Sequence, residues 1–409
     1  MPAFLTHWRI LIETARSSQD AGHDLGSLIV DADTRRRRAH GWSTPPQTTA
    51  AGAVWDTGPL PQIGFRLPGS DISAMAFLGA LAPDAMYYHR HSLREKLADA
   101  PLRSPQIDSA HSHSPAGWSD LFHRLHTGDL PILFLEQVAL VPSPALRSQA
   151  LAFAMGYLSH IAADLALNPW LSELAPRLSP RRAPGPHCSG ELLLDEYLAA
   201  TYFAHPRYNF WRQPWEDYIA PAVRNLSQPD TPTAQLPQLL ASAATEVYQL
   251  PEQQATTLPA TFLASLDGLS RFLAGSGTAR RLTLRASRKT ISSDELHTQL
   301  SSSSTDGKVI TPARILAYAI KLSVHLCQRA ISYYSALRDP QSEGSERSAR
   351  RAALVNDLRN WDLYTGHLAS TDDSATAPLD LDSRTHFAEF WERAIASPDQ
   401  SDKLITQPG

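Results

Sequence analysis

The chain has 409 residues, 43% of them hydrophobic and 19% charged, which supplies a sizeable core and excludes general disorder. Its 37 basic and 41 acidic residues leave a net charge of −4, which excludes a generally basic nucleic-acid binder. Cys188 and Cys327 are the only cysteines, so a disulfide scaffold and a four-cysteine zinc site are excluded, and any metal must be held by His, Asp and Glu.

The chain opens MPAFLTHWRILIETAR, without a basic segment ahead of an apolar run, and reads as having no secretory leader. No stretch reads as a membrane span, because the most apolar windows, 150–167 and 313–327, carry His160 and Asp164, and Lys321 and His325. A soluble cytoplasmic protein is the expectation. Residues 3–16 read as a helix through Phe4, Trp8, Leu11, Ile12 and Ala15. The stretch 33–71, with the run Arg35 to Arg38, reads as a solvated loop insertion. Apolar character returns over 72–90, where Pro83 predicts a helix that stops just before Asp84. The Ser/Pro/His-rich stretch 101–117, with His111 and His113, reads as an exposed loop.

Helices are expected at about 118–127 and 130–141, and the strongest at 145–167, ahead of Pro169. A loop over 171–186 leads to a helix over 187–204. Further helices are expected at 215–225, 233–249, 258–274, 311–337, 347–359 and 383–396, with linkers at 286–310 and 339–347. Few windows alternate with period two, so the fold class is all-α, as one domain over about 1–400.

His160 and Asp164 lie four residues apart, on one helical face. His187 and Glu191 repeat that spacing on the next helix. Two helices that each offer two such ligands fit a carboxylate/histidine metal site inside a bundle. The bland alternative is a core histidine bonded to Asp164 and a surface pair at a helix start.

The segments GYLSHIAADLALNPW (156–170) and HCSGELLLDEYL (187–198) resemble the zinc-dependent phospholipase C family, whose fold is shared with single-strand-specific zinc nucleases. THW (6–8), FLGALAPDAMYYHR (77–90) and FHRLHTG (122–128) resemble further ligand-bearing segments in the same order. NWDLYTG (360–366) and HFAEFWERAI (386–395) resemble the segments that close the domain. The resemblance implies an all-α bundle with two or three zinc ions. It implies Asp84, His126, His160 and Asp164 around one ion, His7 at a second, and His187 and Glu191 at a third. His89, His91 and His123 compete with His126. Where the family has a further histidine, this chain has Asn168, a poor zinc donor, which puts the third ion in doubt.

The implied activity is hydrolysis of a phosphodiester, such as a phospholipid headgroup, by water that clustered zinc makes acidic. Asp84 is the candidate to orient or deprotonate that water. Tyr88 and Trp170 are candidates to line the substrate pocket, whereas Trp8 and Tyr87 read as core and Cys188 as pointing away from the ligand face. Two alternatives stand beside this reading. One is a nuclease-like phosphodiesterase, which the mildly acidic balance does not favour. The other is a metal-poor relative that serves as a binding module, which Asn168 favours.

Overall fold

The computed structural model describes residues 4–17, 71–88, 115–178, 219–274 and 309–364, with shorter pieces at 191, 193–195, 197–198, 298, 302–303 and 366–368. Apolar residues recurring at helical spacing build most of these segments. In chain order the helices are α1 (Phe4–Ser17), α2 (Asp71–Gly79), α3 (Ala82–Ala85), α4 (Pro115–Arg124), α5 (Asp129–Leu140) and α6 (Pro144–Leu178). Then come α7 (Ala220–Leu226), α8 (Leu236–Tyr248) and α9 (Glu252–Ala274). The last two are α10 (Pro312–Arg338) and α11 (Gly344–Leu358). Strands among the described residues are limited to two antiparallel ladders, β1 (Ser302–Ser303) with β2 (Val309–Ile310), and β3 (Trp361–Asp362) with β4 (His367–Leu368). The fold is all-α, as the sequence predicts.

Helix α6 is the axis, and α2 and α10 are its principal neighbours. The α2–α6 crossing is close because both helices present glycine there. A Cβ on Gly79 would fall 2.0 Å from the Phe153 carbonyl oxygen, and one on Gly156 would fall 1.9 Å from that of Ala76. No side chain fits such a gap, so the two backbones approach to a distance that only glycine permits. This crossing sets His160, one turn after Gly156, against the end of α2.

Three boundaries differ from the sequence expectation. Pro83 does not end the helix before it. The chain breaks at Gly79, and Pro83 stands in the first turn of α3, where a missing N–H costs nothing. Helix α6 does not stop before Pro169 but runs to Leu178. An internal proline costs about 3 kcal/mol, and burial of Leu167, Trp170 and Leu171, each at most 2% exposed, offsets it at roughly 2 kcal/mol per side chain. Helix α4 starts at Pro115, inside the expected loop, and ends at Arg124.

One helix among those described, over Pro144–Leu171 of α6, is long and apolar enough to cross a membrane, contrary to the expectation that no such stretch exists. Its most apolar 18-residue window is wholly buried in the protein, as in a core helix. The core has two parts. The larger surrounds α2 and the first half of α6. The smaller joins the second half of α6 to Leu194, Leu198 and the start of α10. Arg35 to Arg38, the expected helix at 383–396 and the segment 386–395 lie outside the described residues.

Candidate metal centre

Four helices deliver five side chains to one buried place. His7 comes from α1, Asp84 from α3, His123 from α4, and His160 and Asp164 from α6. All five are at most 7% exposed. Asp164 Oδ2 lies 3.3 Å from His160 Nε2 and 3.5 Å from His123 Nε2, and its Oδ1 lies 3.5 Å from His7 Nε2. Asp84 lies 3.2 Å from His123 Nε2 through Oδ1, and 3.8 Å from His7 Nε2 and 4.0 Å from His160 Nδ1 through Oδ2. Two ligand groups result, His7 with His160 and Asp164, and Asp84 with His123 and His160, their donor atoms within 4.8 Å of one another in each group. These buried clusters could hold a metal ion.

The backbone sets the protonation of two of the imidazoles. His160 Nδ1 lies 3.0 Å from the Ala80 carbonyl oxygen, and His123 Nδ1 lies 2.6 Å from that of Ser119. A carbonyl only accepts, so each Nδ1 donates, and in the neutral ring each Nε2 is then a bare lone pair. These two Nε2 atoms are 3.1 Å apart and face the carboxylates of Asp84 and Asp164. Lone pairs and carboxylate oxygens turned on one another repel unless a cation stands among them. The donor set and its tautomers therefore fit a metal ion.

Without a metal, protons must serve instead. Burial alone would lower the His123 pKa, but the hydrogen bond and charge of Asp84 overcome it and push it up to about 9. His7 goes the other way, down to about 4, because burial and the neighbouring His160 both oppose its charge. Burial opposes ionisation of Asp84 and Asp164, yet the imidazoles, His160 foremost, hold both below the usual carboxylate range. His7 stacks on His160 at 4.2 Å, and its Nδ1 is buried with no hydrogen-bond partner among the described residues.

The expected ligand His126 does not join the cluster; His123 does. Helix α4 ends at Arg124, and His126 adopts a left-handed φ of 51° in the turn that follows. That turn sends its ring outward, half exposed, to pair with Asp129 at 2.9 Å and to meet the Tyr248 ring edge-on. Glu191 is half-buried, and burial with the nearby charges of Asp84, Asp164 and Asp195 pushes its carboxyl up to about 8. His187, Cys188, His89, His91, His111 and His113 lie outside the described residues.

Both expected substrate residues are core packing. Tyr88 is buried against Phe4, and Trp170 is buried in the smaller core. The aromatic rings beside the cluster are instead Tyr364, stacked on His123 at 5.4 Å, and Tyr87, at 5.9 Å from it. Their hydroxyls both donate to Asp120 Oδ1, at 3.2 Å and 2.9 Å. Burial raises the Asp120 carboxyl. Tyr364 stands in the NWDLYTG segment, and only that resemblance marked it in the sequence. Asn168 donates its side-chain amide to the Leu363 carbonyl at 3.0 Å, so it ties the chain beside Tyr364 to α6.

The sequence matches no protein-family model, and no curated protein or solved structure matches it.

Proposed function

We propose that the chain is a zinc-dependent phosphodiester hydrolase of the phospholipase C type. One observation carries this reading: three imidazoles and two carboxylates from four separate helices converge in a buried cluster whose tautomers leave lone pairs inward. The set of nitrogen and oxygen donors suits zinc. His123, His160 and Asp84 would hold one ion, and His7 and Asp164 would extend the site to a second. Glu191, with the undescribed His187, would supply a third. When bound, zinc would make water acidic near neutral pH and offset charge on the phosphoryl oxygens.

The residues' own tasks follow from their surroundings. The Ala80 and Ser119 carbonyls fix the His160 and His123 rings so that each Nε2 points at the ligand side. Asp84, ionised and acceptor-only, orients the attacking water by accepting its hydrogen bond. The substrate class is a phosphodiester, a lipid headgroup or a soluble relative of one.

The test is turnover of two chromogenic phosphodiesters by zinc-loaded protein, one carrying a choline headgroup and one without. Hydrolysis that is lost in Asp84→Asn and His160→Ala supports the proposal. No hydrolysis of either probe by protein that carries zinc would overturn it.

Asn168 favours a second reading, a metal-poor helical binding module. Its amide is spent on a backbone carbonyl at the position where the resembling family has a ligand. Wild-type protein that retains little zinc after loading, is inert to both probes and still binds a phosphodiester would favour that reading.

A further inference from the structure

His7 is held differently from the other two imidazoles. His123 and His160 each have a backbone carbonyl at Nδ1 to orient the ring. His7 Nδ1 has no hydrogen-bond partner among the described residues, so behind the cluster its ring has only the stacking on His160, while its Nε2 faces Asp164 and Asp84. The place of its Nε2 therefore depends on the backbone of α1, and the first turn of a helix is where backbone N–H groups lack intrahelical acceptors.

That turn is gripped from far along the chain. Asp195 is fully buried. It accepts from Leu5 N at 3.3 Å, from Thr6 N at 3.0 Å and from the Thr6 hydroxyl at 2.7 Å. One carboxylate thus replaces the missing acceptors for the two residues ahead of His7 and sets a negative charge at the positive end of α1. On the other side, Trp8 donates its indole N–H to the Phe77 carbonyl at 3.3 Å. Residues 191 and 193–195 are helical, and Asp195 stands four residues after Glu191, so both residues lie on one face of that turn.

We propose that Asp195 is the positioning residue for His7. It locks the first turn of α1 to the stretch that carries Glu191, and so couples the His7 side of the cluster to the Glu191 side. Its consequence for metal binding rests on the function proposed above, but the positioning itself does not.

The experiment compares wild type with Asp195→Asn and Thr6→Val. Metal-free protein is treated with diethylpyrocarbonate, and carbethoxylation of His7 is followed by peptide mass spectrometry. The same proteins are titrated with cobalt(II), read by its visible absorption. Amide exchange over 150–165 of α6 reports whether the core is intact.

With α6 protection unchanged, Asp195→Asn is expected to speed His7 modification several-fold and to weaken cobalt binding by about 10-fold or more at one site, as loss of a ligand-orienting partner does. Thr6→Val, which removes one of the three bonds, gives a smaller shift in the same direction. If His7 stays as protected in Asp195→Asn as in wild type, the proposal is overturned, even if cobalt binding falls. If Asp195→Asn loses α6 protection, Thr6→Val decides alone by the same criterion. Should wild type bind no cobalt while His7 becomes reactive in the variants, the positioning role stands and the metal reading fails.

Discussion

The Nε2 atoms of His123 and His160 face each other at 3.1 Å, while each ring's Nδ1 is committed to a backbone carbonyl. In the metal-free protein a proton on His123, whose pKa Asp84 holds up, suits that distance; under the function proposed above a metal ion would take its place.

That exchange predicts how the stability of the metal-free chain depends on pH. His123 is raised from 6.5 to about 9, so its contribution is complete below pH 6.5 and is lost as pH rises through about 9. At about 1.4 kcal/mol per unit this amounts to about 3 kcal/mol. Glu191, raised to about 8, adds a loss in the same sense as pH rises from about 4.5 through 8. His7, lowered to about 4, loses stability in the other sense, as pH falls from 6.5 through 4. Between about 4.5 and 6.5 the His7 and Glu191 effects oppose each other. Chemical denaturation in EDTA is expected to show a plateau there and a fall from pH 6.5 to 9, and added zinc is expected to flatten that fall.

His123→Ala and His126→Ala separate the proposed ligand from its neighbour three residues on. His123→Ala is expected to lower zinc affinity by more than about 100-fold, beyond what loss of an orienting partner causes. His126→Ala is expected to leave affinity unchanged, because that ring pairs with Asp129 at the surface. Competition with a chromophoric chelator measures both.

Gly156→Ala tests the crossing of α2 and α6. Its methyl group would meet the Ala76 carbonyl oxygen at 1.9 Å, against backbone that has nowhere to go. The expected loss is about 3 kcal/mol or more in urea unfolding, the upper range for overpacking. Zinc affinity is expected to fall as well, since His160 stands one turn on.

Asn168→Ala separates tether from ligand. Loss of the buried bond to Leu363 is expected to cost about 1–3 kcal/mol. Metal content per chain is expected to stay the same.

The class of the fold was legible because long amphipathic runs carry a strong 3.6-residue period, and His160 with Asp164 was legible because i,i+4 ligands share a face. His7 and Asp84 were placed by resemblance alone, and the structure brings both to the cluster. The choice between His123 and His126 depended on where α4 ends. The sequence predicts that helix to about 127, whereas it ends at Arg124, and a three-residue offset decides which ring faces inward. Pro169 misled because its local cost is outweighed by the burial of Trp170 and Leu171, which only the tertiary fold reveals. Asp195 and Asp120 act on residues far away in sequence, so no local pattern signals them.

Metal content per chain tests the central claim most directly. It is measured by inductively coupled plasma mass spectrometry on untagged protein, wild type beside His160→Ala, after zinc loading and exhaustive dialysis. The account predicts two or three zinc ions in wild type and loss of most of them in the variant, since His160 belongs to both ligand groups. No bound metal in wild type after zinc loading would contradict it.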